Sequence, residues 1–147
     1  MRIAIANDHA GHDLKLLLAA RARELGHTVV DLGPEGSGPV DYPDYAHRVA
    51  RLVAAGEVDR GVLVCGTGIG MSMAANRHAG VRAALCHDAF TAEAARRHND
   101  ANVLCLGGRT TGPGVATQIL EVFLTTGFDG GRHQRRVEGI DAREEAP

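Results

Sequence analysis

The stretch GVLVCGTGIG, residues 61–70, joins an apolar run to a loop in which glycine recurs at every second position. A short apolar run bounded by glycines is typical of a strand buried on both faces, as the strands of a parallel sheet are. The loop leads into SMAANRH, residues 72–78, which is rich in helix formers. The stretch therefore predicts a strand that passes through a glycine turn into a helix.

The same alternation extends over the rest of the chain. Four further apolar runs predict strands, at residues 2–6, 27–32, 81–86 and 102–107. Helix-forming segments occupy residues 14–25, 45–56, 89–98 and 114–126. This pattern predicts an α/β fold, a single-domain Rossmann-like three-layer sandwich with a five-stranded parallel sheet and a C-terminal helix.

Length and composition agree with one ordinary domain. The 147 residues are close to the commonest domain size, so we predict one domain over residues 1–147. Hydrophobic residues make up 44% of the chain but aromatic residues only 3%, which predicts an aliphatic core. Residues 32–44 carry three of the five prolines and are predicted to form a loop, with Asp44 as a candidate N-cap of the next helix.

Charge and hydropathy exclude several classes of partner. The formal net charge of −2 gives no general attraction for nucleic acid or acidic membranes. No stretch is apolar over the length of a bilayer span, and the first apolar run reaches Asp8 too soon for a signal peptide. The three cysteines lack CxxC spacing, and reduced thiols are typical of the cytosol. We therefore expect a cytoplasmic protein that binds neither nucleic acid nor membrane.

Polar and reactive residues follow several of the predicted strands. Ligands of an open parallel sheet bind beyond the carboxyl ends of its strands, so these residues are expected to share one cleft. Asp8 and His9 follow the first strand, Cys65 ends the third, and Arg109 comes shortly after the fifth. For Asp8, capping of the next helix and a role in catalysis are both open interpretations.

The glycine loop after the third strand is a candidate anion-binding site. Backbone N–H groups can converge there on an oxyanion, because glycine has no side chain to obstruct them. The loop lacks the third glycine of the dinucleotide fingerprint and the GK[ST] of a P-loop. A tight turn that only packs the strand on the helix is the alternative interpretation. The loop consists of Gly66, Thr67, Gly68, Ile69 and Gly70.

Cys65 directly precedes this loop, where N–H dipoles at the start of a helix favour a thiolate. A thiolate at this position can act as a base or as a nucleophile. Cys86 and Cys105 have no glycine loop of this kind, and we expect them to be small buried residues.

Four more residues have a structural and a functional interpretation. His98 ends a predicted helix, where the macrodipole alone favours histidine. Arg132 and Arg136 are four residues apart and would share a helix face that either grips a phosphate or stays solvated. Tyr42, in the predicted loop, either lines a pocket or packs on the surface.

Taken together, these motifs resemble the ribose-5-phosphate isomerase B family. The resemblance rests on DHAG at 8–11, DYP at 41–43, VLVCGTGIGMSMAAN at 62–76, RHND at 97–100 and GGRHQRRVEGI at 130–140, and it covers almost the whole chain. The wider family includes galactose-6-phosphate and allose-6-phosphate isomerases and relatives that act on tetrose phosphates. The resemblance implies an enzyme with no metal and no cofactor.

The resemblance also implies a reaction and roles for individual residues. The reaction is the interconversion of ribose 5-phosphate and ribulose 5-phosphate through an enediolate. Cys65 is the implied base between C1 and C2, His98 assists opening of the sugar ring, and Thr67 is a proton relay. The implied substrate contacts are Asp8, His9, Tyr42, Asn99 and the amides of Gly66 to Gly70, with the phosphate on Arg132, Arg136 and Arg109.

Members of a second branch of the family use a glutamate base at the position that Met71 occupies here. Methionine cannot accept a proton, so the resemblance points to the cysteine branch. It further implies a homodimer or tetramer with a shared active site, in which the tail from about residue 130 packs on a partner subunit. Two alternatives stay open: an isomerase of a tetrose 4-phosphate or hexose 6-phosphate, and a non-catalytic sugar-phosphate-binding protein.

Overall fold

The computed structural model describes residues 1–141. Short 3₁₀ turns at His9–Gly11 and Gly131–His133 precede the first and the last helix. None of the described helices is both long and apolar enough to cross a bilayer. The elements in chain order are β1 (Arg2–Asn7), α1 (His12–Glu24), β2 (Thr28–Asp31), α2 (Tyr42–Ala54), β3 (Arg60–Cys65), α3 (Ile69–Ala75), β4 (Ala83–Leu85), α4 (Ala89–Asn99), β5 (Val103–Gly107), α5 (Pro113–Thr125) and α6 (Gln134–Asp141).

The strands form one parallel sheet in the order β2-β1-β3-β5-β4, with β3 at its centre. Val62 of β3 pairs with Ile5 on one side and with Leu104 on the other. The chain turns outward from β1 to β2 and then crosses to β3, so the direction of winding reverses between β1 and β3. The predicted five-stranded α/β fold is confirmed.

Helices cover both faces of the sheet and make the three layers. Alternate residues of a strand point to opposite faces, so Val62 packs with α1, α4 and α5, whereas Leu63 packs with α2 and α3. Among the described residues, the buried hydrophobic side chains are aliphatic or carry sulfur, apart from Phe123, which is fully buried on the first face. In β3 itself, a Cβ atom at Gly61 would lie 2.7 Å from Cγ1 of Val49, so glycine at this position allows α2 to approach the sheet closely.

The start of α2 differs from the prediction. The helix begins at Tyr42 and Asp41 occupies the N-cap position, so the assignment of Asp44 as N-cap was wrong. Pro43 explains the earlier start, because proline is favoured in the first turn of a helix, where its missing N–H is not needed. Asp44 lies in that first turn, where the helix dipole favours a carboxylate.

The C-terminal helix begins later than a shared helix face for Arg132 and Arg136 would require. Gly130 and Gly131 have φ angles of 63° and 54°, which interrupt helical geometry, so α6 begins only at Gln134. Arg132 therefore lies in the 3₁₀ turn and Arg136 in the helix, and both are exposed. The acidic end of the predicted tail, residues 142–147, lies outside the described residues.

Replacing the buried aromatic ring tests the packing of the first face. Phe123→Ala is expected to lower the free energy of unfolding by about 3–5 kcal/mol, because it removes transfer energy and leaves a cavity. Phe90 is 76% exposed, so Phe90→Ala is the control and should change stability by less than about 1 kcal/mol. Urea unfolding of both variants gives the comparison, and equal losses would contradict the described core.

Candidate active site

Three loops meet where β1, β3 and β5 end. Backbone hydrogen bonds join them directly: the Asp8 N–H donates to the Val64 carbonyl at 3.0 Å, and the Gly108 N–H donates to the Cys65 carbonyl at 2.7 Å. The Arg109 N–H continues the series to the Gly66 carbonyl at 3.0 Å. The end of β3 is therefore held on both sides, and the predicted glycine loop is fixed at its base.

Glycine is required where these loops touch. A Cβ atom at Gly108 would overlap the carbonyl oxygen of Ala10, which belongs to the loop after β1. Gly68 has a φ angle of 79°, and a Cβ atom there would lie 3.0 Å from the backbone carbonyl carbon of Leu106. Both loops consequently pack closer to their neighbours than any residue with a side chain would allow.

Cys65 is the reactive group at the centre of this arrangement. It is the last residue of β3, only 5% exposed, and its Sγ accepts a hydrogen bond from the Gly68 N–H at 3.1 Å. Gly68 itself has a left-handed conformation and is the N-cap residue of α3. An N–H donor aimed at sulfur stabilises negative charge on it, which suits a thiolate base.

The remaining loop residues also form a hydrogen bond with each other. The Ile69 N–H donates to Oγ1 of Thr67 at 3.3 Å, and the side chains of both residues are exposed. Because the Gly68 N–H is bonded to Cys65, two of the amides predicted to bind an oxyanion already have side-chain partners. An incoming oxyanion must therefore use other amides or share these two.

Asp8 caps the first 3₁₀ turn, one of the two interpretations that the sequence left open. Its Oδ1 accepts from the N–H groups of Ala10 at 2.9 Å and Gly11 at 3.1 Å. The fully buried side chain of Asn7 donates to the Asp8 carbonyl at 2.7 Å and steadies the same turn. The cap fixes the exposed His9 next to the end of β3.

Tyr42 and Arg109 flank the glycine loop. A Cβ atom at Gly70 would lie 2.6 Å from Cε2 of Tyr42, so the phenol ring rests directly on the loop backbone. A Cβ atom at Gly66 would lie 3.5 Å from Nη1 of Arg109. Both side chains are exposed, and the structure thus brings a phenol and a guanidinium to the loop that follows Cys65.

His98 and Asn99 lie at the other edge of the sheet. Helix α4 begins beyond the carboxyl end of β4 and returns to the start of β5, so its last two residues lie at the amino edge. Asn102 marks this edge, because its carbonyl accepts from Gly61 at the beginning of β3. Five steps along β3 span about 17 Å, so one chain does not bring His98 and Cys65 together.

The basic C-terminal segment lies beside His98. The ring of His98 stacks on that of His133, with centroids 4.5 Å apart and planes inclined by 15°. The carboxylate of Asp129 approaches both rings, since one nitrogen of each ring and one carboxylate oxygen lie within 4.8 Å of one another. We call His98, Asp129 and His133 the histidine cluster. Asp129 and His133 were not predicted from the sequence, although the motif GGRH at residues 130–133, which holds both His133 and Arg132, was a usable signal.

The histidine cluster carries a defined charge pattern. Burial lowers the pKa of His133, and electrostatic interaction with His98, Arg132 and Arg136 lowers it further, which favours the neutral ring. A hydrogen bond from Arg97 holds the pKa of Asp129 below its usual range. The nearly parallel rings direct their in-plane lone pairs side by side, so in this geometry they do not converge on one metal ion.

Comparison with known proteins identifies the family. The ribose/galactose isomerase family matches residues 3–140, nearly the whole described chain. The chain belongs to this family. Ribose-5-phosphate isomerase B of Escherichia coli K12 is 47% identical over 144 residues, which are 98% of this chain and 97% of that protein.

Solved structures agree with this assignment. Type B ribose 5-phosphate isomerase of Trypanosoma brucei superposes with a TM-score of 0.93 at 52% identity, covering 95% of this chain and 96% of that one. Ribose-5-phosphate isomerase B of Clostridium thermocellum gives a TM-score of 0.95 at 45% identity, covering 96% and 95%. The family resemblance and the prediction of an isomerase are confirmed.

Thiol labelling tests the different environments of the cysteines. Burial raises the pKa of Cys86 to about 11, and burial also raises the pKa of Cys105 well above its usual value. Both thiols should stay protonated and unreactive from pH 7 to 9, so iodoacetamide is expected to modify Cys65 first. Mass spectrometry of the labelled peptides measures the order, and modification of Cys86 at the rate of Cys65 would contradict it.

Proposed function

We propose that this family member interconverts ribose 5-phosphate and ribulose 5-phosphate, with Cys65 as the base. The observation that carries the proposal is the Cys65 sulfur at the end of β3, with the Gly68 N–H donating to it from the glycine loop. The names of the E. coli, T. brucei and C. thermocellum relatives support the choice of substrate. The fold alone would not, since one fold hosts many reactions.

The chemistry needs a base on one face of an open-chain sugar. Cys65 takes the proton from C2, the electrons of that bond form a C1–C2 double bond, and the C1 carbonyl oxygen becomes the enediolate oxygen. Return of the proton to C1, with formation of a carbonyl at C2, gives the ketose. Thr67, exposed in the loop that follows Cys65, is the proposed relay for the proton that moves between the two oxygens. Loop amides stabilise the enediolate.

The proposed phosphate-binding residues hold the end of the sugar that is remote from the reacting carbons C1 and C2. Arg132 and Arg136 are exposed next to the histidine cluster, and Arg109 is exposed over the glycine loop. Guanidinium groups suit a phosphate dianion because they donate two parallel hydrogen bonds. When the phosphate is held, the short carbon chain of the sugar is positioned against Cys65. Asp8, His9, Tyr42 and Asn99 are the proposed contacts to the sugar.

A second copy of the chain completes the proposed site. His98 opens the sugar ring in this proposal and must lie close to the substrate that Cys65 deprotonates. Since the two side chains occupy opposite edges of one sheet, the histidine of one subunit serves the cysteine of the other. A homodimer related by a two-fold axis gives two equivalent sites of this kind. The segment from about residue 130 would then border the partner, within a cytoplasmic enzyme.

Substitution of the base tests the reaction and the sugar together. Cys65→Ala is expected to lower kcat for ribose 5-phosphate at least about 100-fold and to stop deuterium exchange at C2 in heavy water. Cys86→Ala, which removes a thiol outside the loop, is the control. The turnover of four-, five- and six-carbon sugar phosphates by the wild-type enzyme is measured to identify the preferred substrate. Full exchange by the Cys65→Ala variant would rule out Cys65 as the base. Faster turnover of another sugar phosphate would show that ribose 5-phosphate is not the preferred substrate.

Mixing two inactive variants tests the shared site. A heterodimer of Cys65→Ala and Arg132→Ala subunits keeps one intact site if each site draws Cys65 and Arg132 from different chains. Random reassociation should then restore about a quarter of wild-type activity. Unmixed variants carried through the same dissociation step are the control. Mixed dimers that form, as native mass spectrometry would record, but remain inactive would show that each site is built by a single chain.

A further inference from the structure

Asp129 is tied to α4 next to His98 by two kinds of contact. Its backbone N–H donates to the Arg97 carbonyl at 3.0 Å. Its carboxylate accepts from Nε of Arg97, at 3.2 Å to Oδ1 and 3.1 Å to Oδ2. Arg97 is in turn held by Glu93 one turn earlier, through Nη1 at 3.1 Å. These contacts fix a carboxylate beside the residue that follows Arg97, which is His98.

Positive charge surrounds this carboxylate. Arg97 on α4 contacts Asp129, and Arg132 on the 3₁₀ turn and Arg136 on α6 act on the neighbouring His133. Glu93 is engaged by Arg97, and within residues 1–140 Asp129 is the acidic residue of the histidine cluster. An opposite charge within about 5 Å favours the protonated form of an imidazole, and like charges disfavour it.

His133 completes the arrangement as a neutral partner. It is 9% exposed and stacks on His98 with nearly parallel planes. A neutral ring in this position limits rotation of His98 and adds no positive charge to its surroundings. The ring of His98 is therefore oriented by one neighbour and faces the carboxylate of the other.

Opening of a furanose makes a definite demand on such a ring. The bond between C1 and the ring oxygen breaks, the ring oxygen gains a proton, and the C1 hydroxyl loses one as the carbonyl forms. A protonated imidazole gives its proton to the ring oxygen and recovers one from the C1 hydroxyl, so the step balances with no other reactant. The positively charged site that binds phosphate opposes this protonated form.

We propose that Asp129 is a positioning residue that orients the His98 ring and offsets the arginine charge, so that the ring can carry the proton for sugar ring opening. The inference rests on the proposed function of His98. It adds a residue that does not touch the substrate, and it accounts for the paired contacts that hold Asp129 to Arg97.

The test uses Asp129→Asn, with Glu121→Gln as a matched control. Asp129 and Glu121 are each 38% exposed and each accept a hydrogen bond from an arginine Nε, but Glu121 pairs with Arg21 on α1. We expect Asp129→Asn to lower kcat for ribose 5-phosphate about tenfold. The high-pH limb of its activity profile should move to lower pH, because the variant removes a negative charge beside the ring. The control should match wild type.

Ribulose 5-phosphate separates positioning from a general loss of structure. This ketose cannot close a furanose or pyranose ring because its C5 oxygen carries the phosphate, so exchange of its C1 proton in heavy water needs the base but no ring opening. Asp129→Asn should keep wild-type exchange, and Asp129→Glu should restore part of the turnover of ribose 5-phosphate. Equal losses in exchange and in aldose turnover would overturn the inference.

Nuclear magnetic resonance of the histidine rings makes the test independent of catalysis. In isotopically labelled protein without substrate, the titration midpoint of the His98 ring should fall in Asp129→Asn and stay unchanged in Glu121→Gln. An unchanged midpoint in Asp129→Asn would overturn the inference even if the enzyme isomerises ribose 5-phosphate. A lowered midpoint in a protein that does not act on the sugar would instead reject the proposed function.

Discussion

The structure depends on the pairing of β3 with a strand on each side. Because β1 and β5 are both parallel to it, their carboxyl ends meet the end of β3 at one edge of the sheet, and three loops emerge within hydrogen-bonding distance of one another. Burial of β3 on both faces holds this edge rigid. The position of Cys65 follows from where β3 ends, and its sulfur is held by the hydrogen bond from the Gly68 N–H.

The fold could be predicted because each strand and helix repeats a simple local pattern. A strand made of about five consecutive apolar residues is removed from water only when both of its faces are covered. Strands that alternate with helices along the chain therefore indicate a parallel sheet with helices on both faces. The structure differs from the expectation where proline or glycine sets the start of a helix. Pro43 started α2 early, and the glycine pair at 130 and 131 delayed α6.

The candidate site was only partly accessible from sequence. Asp8, Cys65 and Arg109 follow strands that lie side by side, so a rule about strand ends is enough to bring them together. No such rule covers His133 and Asp129, whose positions depend on how the segment after α5 packs against the end of α4. The capping hydrogen bonds of Asp8 likewise could not be predicted from sequence, because a capping carboxylate and a catalytic carboxylate have the same sequence pattern.

The separation of Cys65 and His98 by the length of the sheet has a consequence for how such an enzyme responds to its own abundance. In the proposed assembly no folded monomer holds a complete set of reacting groups, however stable it is. Specific activity then depends on the dissociation constant of the subunits, and dilution below that constant switches the reaction off without unfolding the chain. Subunit concentration would act as a regulator of the enzyme, with no effector molecule required.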